Sequence, residues 1–274
     1  MISTPENTAV VTILAYTERK DIPLTVNFMQ ASAKKNGISL MQLLQGQNYI
    51  YNEKEIDMSF DNKLIRLWSE VKNMPSRYTH ILYLDARDTL FVRGLGVICR
   101  KYNEIGWPIV ISASRVCQHH RDPGWHARFG KHASGWDYIN AGVWMAERQA
   151  LSEAIEKMTA LSALVKDDKI ASSYPALWNN DQHLWQTAYV EHSFPLRVDF
   201  DRSLFCNYHQ TPFADLDYSK STPETPVVLK NGQAPCIVHL AGMSAEFAPV
   251  LAWFLGIVKP PEIPALDSRQ VTVS

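Results

Sequence analysis

The apolar run Ile81-Leu-Tyr-Leu84 leads straight into two aspartates three apart, Asp85 and Asp88. Along a strand the side chains alternate, so residues i and i+3 point to opposite faces. The two carboxylates can meet only if the chain turns across residues 85–88, which brings the Cα atoms within about 7 Å. Such a turn lies beyond the carboxyl end of a buried strand, where open α/β sheets bind ligands. Two hard carboxylate oxygens there suit Mg²⁺ or Mn²⁺, ions that bridge protein carboxylates and substrate phosphates. A plainer reading also stands, in which Asp85 caps a turn and Asp88 pairs with Arg87 or Arg93.

A second stretch has chemistry without periodicity. Residues 115–136, RVCQHHRDPGWHARFGKHASGW, carry Arg115, Arg121, Arg128, Lys131 and four histidines against one acid, Asp122. Connections of this length inside a compact domain are usually functional or disordered. Trp125, Phe129 and Trp136 are interleaved among the cations. Aromatic faces with cations around them suit a polar or anionic acceptor, Trp125 and Trp136 being the stacking candidates. The alternative is a solvated lid with ordinary surface charge.

Strand and helix signals alternate around these stretches, which points to an α/β layer architecture. Residues 9–16 (AVVTILAY) read as a buried first strand. Asp21 caps a helix with Pro23 in its first turn that stops at Asn36-Gly37. A strand over 38–44 follows, then a helix from 61 with Leu64, Leu67, Trp68 and Val71 at helical spacing. After the strand before Asp85 come a helix from Gly94 to about 103 and buried strands at 108–114 and 138–145. A helix over 147–165, short strands at 196–200 and 236–239, and a helix over 244–255 complete the pattern.

The totals exclude several classes. A formal charge of -1 argues against wholesale attraction to nucleic acid or membrane. The longest apolar runs, VVTILAY and VLAWFLGIV, fall far short of the roughly 20 residues that span a bilayer. MISTPENTAV has no basic start and no apolar core of about 7–15 residues, so no secretory signal is read and a cytoplasmic location is expected. Cys99, Cys117, Cys206 and Cys236 lack metal-site spacing and read as free thiols in a reducing compartment.

Five short motifs then follow in order: Asp85-Ala-Arg-Asp88; Tyr138-Ile-Asn-Ala-Gly-Val143; Asn180-Asp181-Gln182 at a helix start; Val198-Asp-Phe-Asp-Arg-Ser-Leu-Phe-Cys-Asn207; and Pro235-Cys-Ile-Val-His239-Leu-Ala-Gly242. Together they resemble a nucleotide-sugar glycosyltransferase of the GT-A type. More narrowly, they are similar to the glycosyltransferase domain of procollagen lysyl hydroxylases, the collagen glucosyl- and galactosyltransferase group. The resemblance implies a single Rossmann-like α/β domain over residues 1–258, with a mixed, mostly parallel central sheet flanked by helices. Residues 259–274 are expected to be an irregular tail.

What the resemblance implies for the site is specific. Asp85, Asp88 and His239 would hold Mn²⁺, with Mg²⁺ as the alternative, against the diphosphate of a UDP-sugar donor. Imidazole suits Mn²⁺ better than Mg²⁺, although a histidine after a strand also reads as a packed residue. Lys63 would neutralise phosphate charge, and Thr17 would lie by the nucleoside; each also reads as an ordinary polar residue of its element. Asp181, with Asn180, would act at the sugar, while Gln182, Asn140 and Gly242 would bind substrate. Asp181 reads equally as an acid at a helix N-terminus, stabilised by the helix dipole. Transfer with retention is implied.

The departures matter as much. Arg87 stands where the family has a tyrosine against the uracil, a position from which a guanidinium can stack on a base. Ala241 and Ala245 replace polar donor contacts, Asn180 replaces an acid, and Ser114-Arg-Val-Cys117-Gln-His lacks the family's acceptor-side acid and tryptophan. Collagen is therefore not expected as acceptor; a hydroxylated peptide, a glycan or a modified nucleic-acid base is. Two other classes remain: a phosphohydrolase or nucleotidyltransferase using the same aspartates, and a noncatalytic UDP- or sugar-binding module.

Overall fold

The computed structural model describes residues 1–13, 22–43, 49–51, 54–56, 63–86, 88–117, 127–167, 181–208, 215–222 and 224–241. Its centre is a six-stranded sheet built from β1 (Thr8–Ile13), β2 (Leu40–Leu43), β5 (His80–Leu84), β7 (Ile109–Ser114), β8 (Tyr138–Glu147) and β9 (Arg197–Asp199), in the order β2-β1-β5-β8-β7-β9. β8 runs antiparallel to both its neighbours, and the other pairings are parallel. Parallel strands covered on both faces read as near-continuous apolar runs. This is why TAVVTI and HILYL are buried at every position.

Alternate side chains of each strand enter two separate cores. Ala9, Val11, Ile81 and Tyr83 face one core with Leu64, Leu67 and Val71 of α2 (Lys63–Val71). Leu151, Ala154, Ile155 and Met158 of α4 (Arg148–Asp167), and Trp185 and Ala188 of α5 (Asp181–Val190), join the same core. Val10, Leu82 and Leu84 face the other, with Met29 and Ala33 of α1 (Ile22–Lys35) and Ile98, Cys99 and Tyr102 of α3 (Leu95–Ile105). The α3 helix ends where Gly106 takes the left-handed conformation, φ 70°, and donates its N–H to the Tyr102 carbonyl.

A small sheet closes the second core. It comprises β6 (Thr89–Phe91), β10 (Phe205–Asn207) and β11 (Ile237–His239), in the order β10-β11-β6, with β10 parallel and β6 antiparallel to β11. Cys206, Val238 and Leu90 of this sheet face a third apolar cluster with Tyr208, Leu216, Val227 and Leu229.

The expected α/β architecture is present, with its mixed, mostly parallel sheet. The expected strands and helices are found wherever the chain is described, with ends shifted by one to three residues. The hairpin of β3 (Tyr49–Tyr51) and β4 (Lys54–Ile56), and the short strands β6 and β10, were not foreseen. Three-residue strands carry too little alternation to register as a period. The expected helix over 244–255 and the tail 259–274 lie outside the described residues. None of the four cysteines is in a disulfide. Among the described residues, no helix is long and apolar enough to cross a membrane.

Candidate metal centre

The four residues between β5 and β6 carry the chain from the large sheet to the small one, and Asp85 and Asp88 bound that passage. Both aspartate backbones are tied to strands that start elsewhere in the sequence. Asp85 donates its N–H to the Gly142 carbonyl on β8 at 2.8 Å, extending the β5–β8 ladder, while Asp88 accepts at its carbonyl from Leu240 N–H at 2.7 Å. His239, the last residue of β11, is the neighbour of Leu240. The chain therefore does turn at residues 85–88, and the turn delivers both carboxylates to one place.

One oxygen from each aspartate and one nitrogen of His239 all lie within 4.8 Å of one another. His239 Nε2 is 3.1 Å from Asp88 Oδ1 and 3.9 Å from Asp85 Oδ2. The imidazole is buried, and the aspartates are partly exposed. Tyr83, stacked on Trp144, donates its hydroxyl to Asp85 Oδ1 at 2.8 Å, which fixes the carboxylate with Oδ2 on the His239 side. The alternative partner for Asp88, Arg93, is occupied: it donates to Thr225 Oγ1 at 2.6 Å and to the Glu224 carbonyl. Arg87 lies outside the described residues.

These donors fit a small divalent cation. Ligand atoms about 2.1 Å from an octahedral ion stand about 3 Å apart at right angles and about 4.2 Å apart across it. The observed 3.1 and 3.9 Å fall inside that span. Two carboxylate oxygens with one imidazole nitrogen suit Mn²⁺ better than an all-oxygen ion.

Gly142 makes the approach possible. A Cβ built there would fall 2.1 Å from His239 Cε1 and 2.8 Å from Asp85 Oδ2. Here β8 bulges: Ile111 pairs with Trp144 and the next residue, Ser112, with Asn140, leaving residues 141–143 unopposed on β7. Bulges of this kind re-aim chains beside functional sites. The bulged Gly142 N–H donates to Asn140 Oδ1 at 2.9 Å, and Asn140 Nδ2 donates to Gln182 Oε1 at 3.3 Å. Asn140, expected to contact a sugar, thus holds the bulge and anchors the first turn of α5. Gly142 was not singled out in the sequence. Its signal was a glycine inside a strand, which marks a bulge or a close backbone approach.

The other expected site residues divide by place. Asp181 and Gln182 are buried at the start of α5, whose Gln186 donates to the Ile139 carbonyl on β8 at 3.3 Å. Their helix start is thus braced against the strand that carries Gly142. Lys63 opens α2. Thr17, Trp125, Asn180 and Gly242 lie outside the described residues, as Arg87 does.

Trp136 corrects an expectation. It is 2% exposed in the core under the loop, with the guanidiniums of Arg202 and Arg115 over its ring at 4.5 and 4.9 Å. Both arginines also bond Asp215 Oδ2, at 2.9 and 2.8 Å. A ring covered in this way has no face for a base. The loop cations Arg128 and Lys131 are likewise paired, with Glu191 and Asp137.

No family model matches the chain, and no curated protein does. Among solved structures the chain is similar to a glycosyltransferase involved in the glycosylation of the major capsid of PBCV-1. The TM-score is 0.46 and the identity 14%, over 91% of this chain and 100% of that one.

Proposed function

We propose that the protein is a metal-dependent glycosyltransferase that moves a hexose, glucose or galactose, from a UDP-sugar to a hydroxyl acceptor with retention. The observation that carries the reading is the convergence of Asp85, Asp88 and His239 within 4.8 Å at the strand ends. The ordered motifs that resemble the lysyl hydroxylase glycosyltransferase domain supply the donor class. Asp85, Asp88 and His239 would hold Mn²⁺ or Mg²⁺, a Lewis acid that offsets the charge developing on a departing diphosphate.

The chain's own residues do the rest. Tyr83 holds Asp85 in the orientation that turns Oδ2 to the site, and preorganised charge of this kind lowers barriers by several kcal/mol. Lys63 neutralises donor phosphate, and Arg87 and Thr17 flank the nucleoside. Asp181 stabilises positive charge at the anomeric carbon, with Asn180, Gln182 and Gly242 on the sugar side. Trp125 faces the acceptor, a hydroxyl on a peptide, a glycan or a modified nucleic-acid base.

Calorimetric titration of UDP tests this, first with Mn²⁺ and then with EDTA. UDP should bind only with the metal, and Asp88→Ala or His239→Ala should abolish the metal-dependent part while the fold stays intact. A variant that binds UDP and Mn²⁺ as the parent does would remove that residue from the ligand set. Release of phosphate or pyrophosphate from a sugar nucleotide, in place of UDP, would move the protein to the phosphohydrolase or nucleotidyltransferase class.

A further inference from the structure

The small sheet presents its inner face to the large sheet as successive rungs, one residue from each strand. Register places Phe205, Ile237 and Phe91 side by side, and all three are buried in the second core. Two residues along, on the same face because strand side chains alternate, the rung is Asn207, His239 and Thr89. This polar rung is as dry as the apolar one: Asn207 is 0% exposed, Thr89 1% and His239 3%. Among the described residues, neither Asn207 Oδ1 nor Asn207 Nδ2 has a hydrogen-bond partner, and the Thr89 hydroxyl has none either.

Burying an amide without partners costs more than burying an apolar group of the same shape. A leucine would serve the fold better at position 207, as phenylalanine does at 205. Buried polar groups left in this state point to a strain reservoir, a catalytic role, or a bound ion or water. The neighbour that distinguishes these is His239, one strand spacing away at about 4.8 Å and turned toward Asp85 and Asp88. We infer that Asn207 is a positioning residue of the metal centre. When an ion shared with Asp85 and Asp88 takes His239 Nε2, the Asn207 amide on the neighbouring strand is the group placed to hydrogen-bond the ring and fix its plane. The inference rests on the reading above that this trio binds a divalent cation.

The test separates metal affinity from stability, using Asn207→Leu, with Asn207→Val in case the extra bulk of leucine is not accommodated. Mn²⁺ binding is measured by calorimetry and by the loss of the free-ion electron paramagnetic resonance signal, with UDP present. Urea unfolding is measured in EDTA. The expected result is Mn²⁺ affinity lower by about 10–100-fold, with metal-free stability equal to the parent or higher. Unchanged affinity in a parent that binds Mn²⁺ overturns the inference and leaves the proposed function standing. Loss of affinity and stability together, or failure of both variants to fold, assigns Asn207 to the fold and overturns it as well. A parent that binds no Mn²⁺ removes the proposed function first and this inference with it.

Discussion

Asp199 and Asp85 stand at the carboxyl ends of two parallel strands of one sheet, and the chain treats them oppositely. Asp199, the last residue of β9, is closed over by its own loop. Ser203 donates to Oδ1 from both its N–H and its hydroxyl at 3.0 Å, while Leu204 and Phe205 N–H donate to Oδ2 at 2.7 and 2.8 Å. Burial pushes this carboxyl above its usual range, and those four donors oppose the shift. Asp85 accepts the Tyr83 hydroxyl at Oδ1, and its Oδ2 lies on the side of Asp88 and His239. A carboxylate saturated by its own backbone serves the fold. Two carboxylates and an imidazole converging on one point could hold a metal ion.

The largest effect should come from breaking the saturated site. Asp199→Ala leaves three backbone N–H groups, two of them buried, without an acceptor and should cost about 3–5 kcal/mol in urea unfolding. The turn it clamps holds Arg202 at a positive φ of 59° and runs directly into β10, so the candidate metal centre should loosen with it. Wild-type stability in this variant would erase the distinction between the two carboxylate settings.

Gly142→Ala strikes the converging site from the side. Its methyl meets His239 and Asp85, so overpacking should cost about 1–3 kcal/mol. Mn²⁺ binding should fall by about 100-fold, a larger functional loss than the stability change accounts for. Calorimetry beside thermal unfolding reads the two quantities. Equal Mn²⁺ affinity would mean that His239 does not need its place against β8.

The smallest effect sharpens the comparison most. In EDTA at pH 8, Asp88→Asn relieves carboxylate repulsion at a partly exposed site. It should leave stability unchanged or raise it by up to about 1 kcal/mol. A loss approaching that of Asp199→Ala would show Asp88 to be a structural acid like Asp199.

The same contrast explains what could be read in advance. Buried parallel strands were legible because each is an apolar run, and the end of α1 because Gly37 takes a positive φ. The role of Asn140 was not legible, since its partners are set by a bulge in β8 and by the first turn of α5. Trp136 misled for a related reason. A tryptophan among cations looks like a platform until Arg115 and Arg202, the second far along the chain, are found over its ring.

The sequence by itself determined that Asp85 and Asp88 follow a buried strand and can share a ligand only across a turn, because side-chain alternation is a local property of extended chain. The resemblance carried by the ordered motifs implied His239 as the third member. Only the tertiary structure decided that the three meet, because their meeting depends on register. β6 pairs with β11 so that His239 lies opposite Thr89, the residue after Asp88. β8 bulges so that Gly142 makes room for the ring. Register between strands is set by packing across the whole core, and no window of residues contains it.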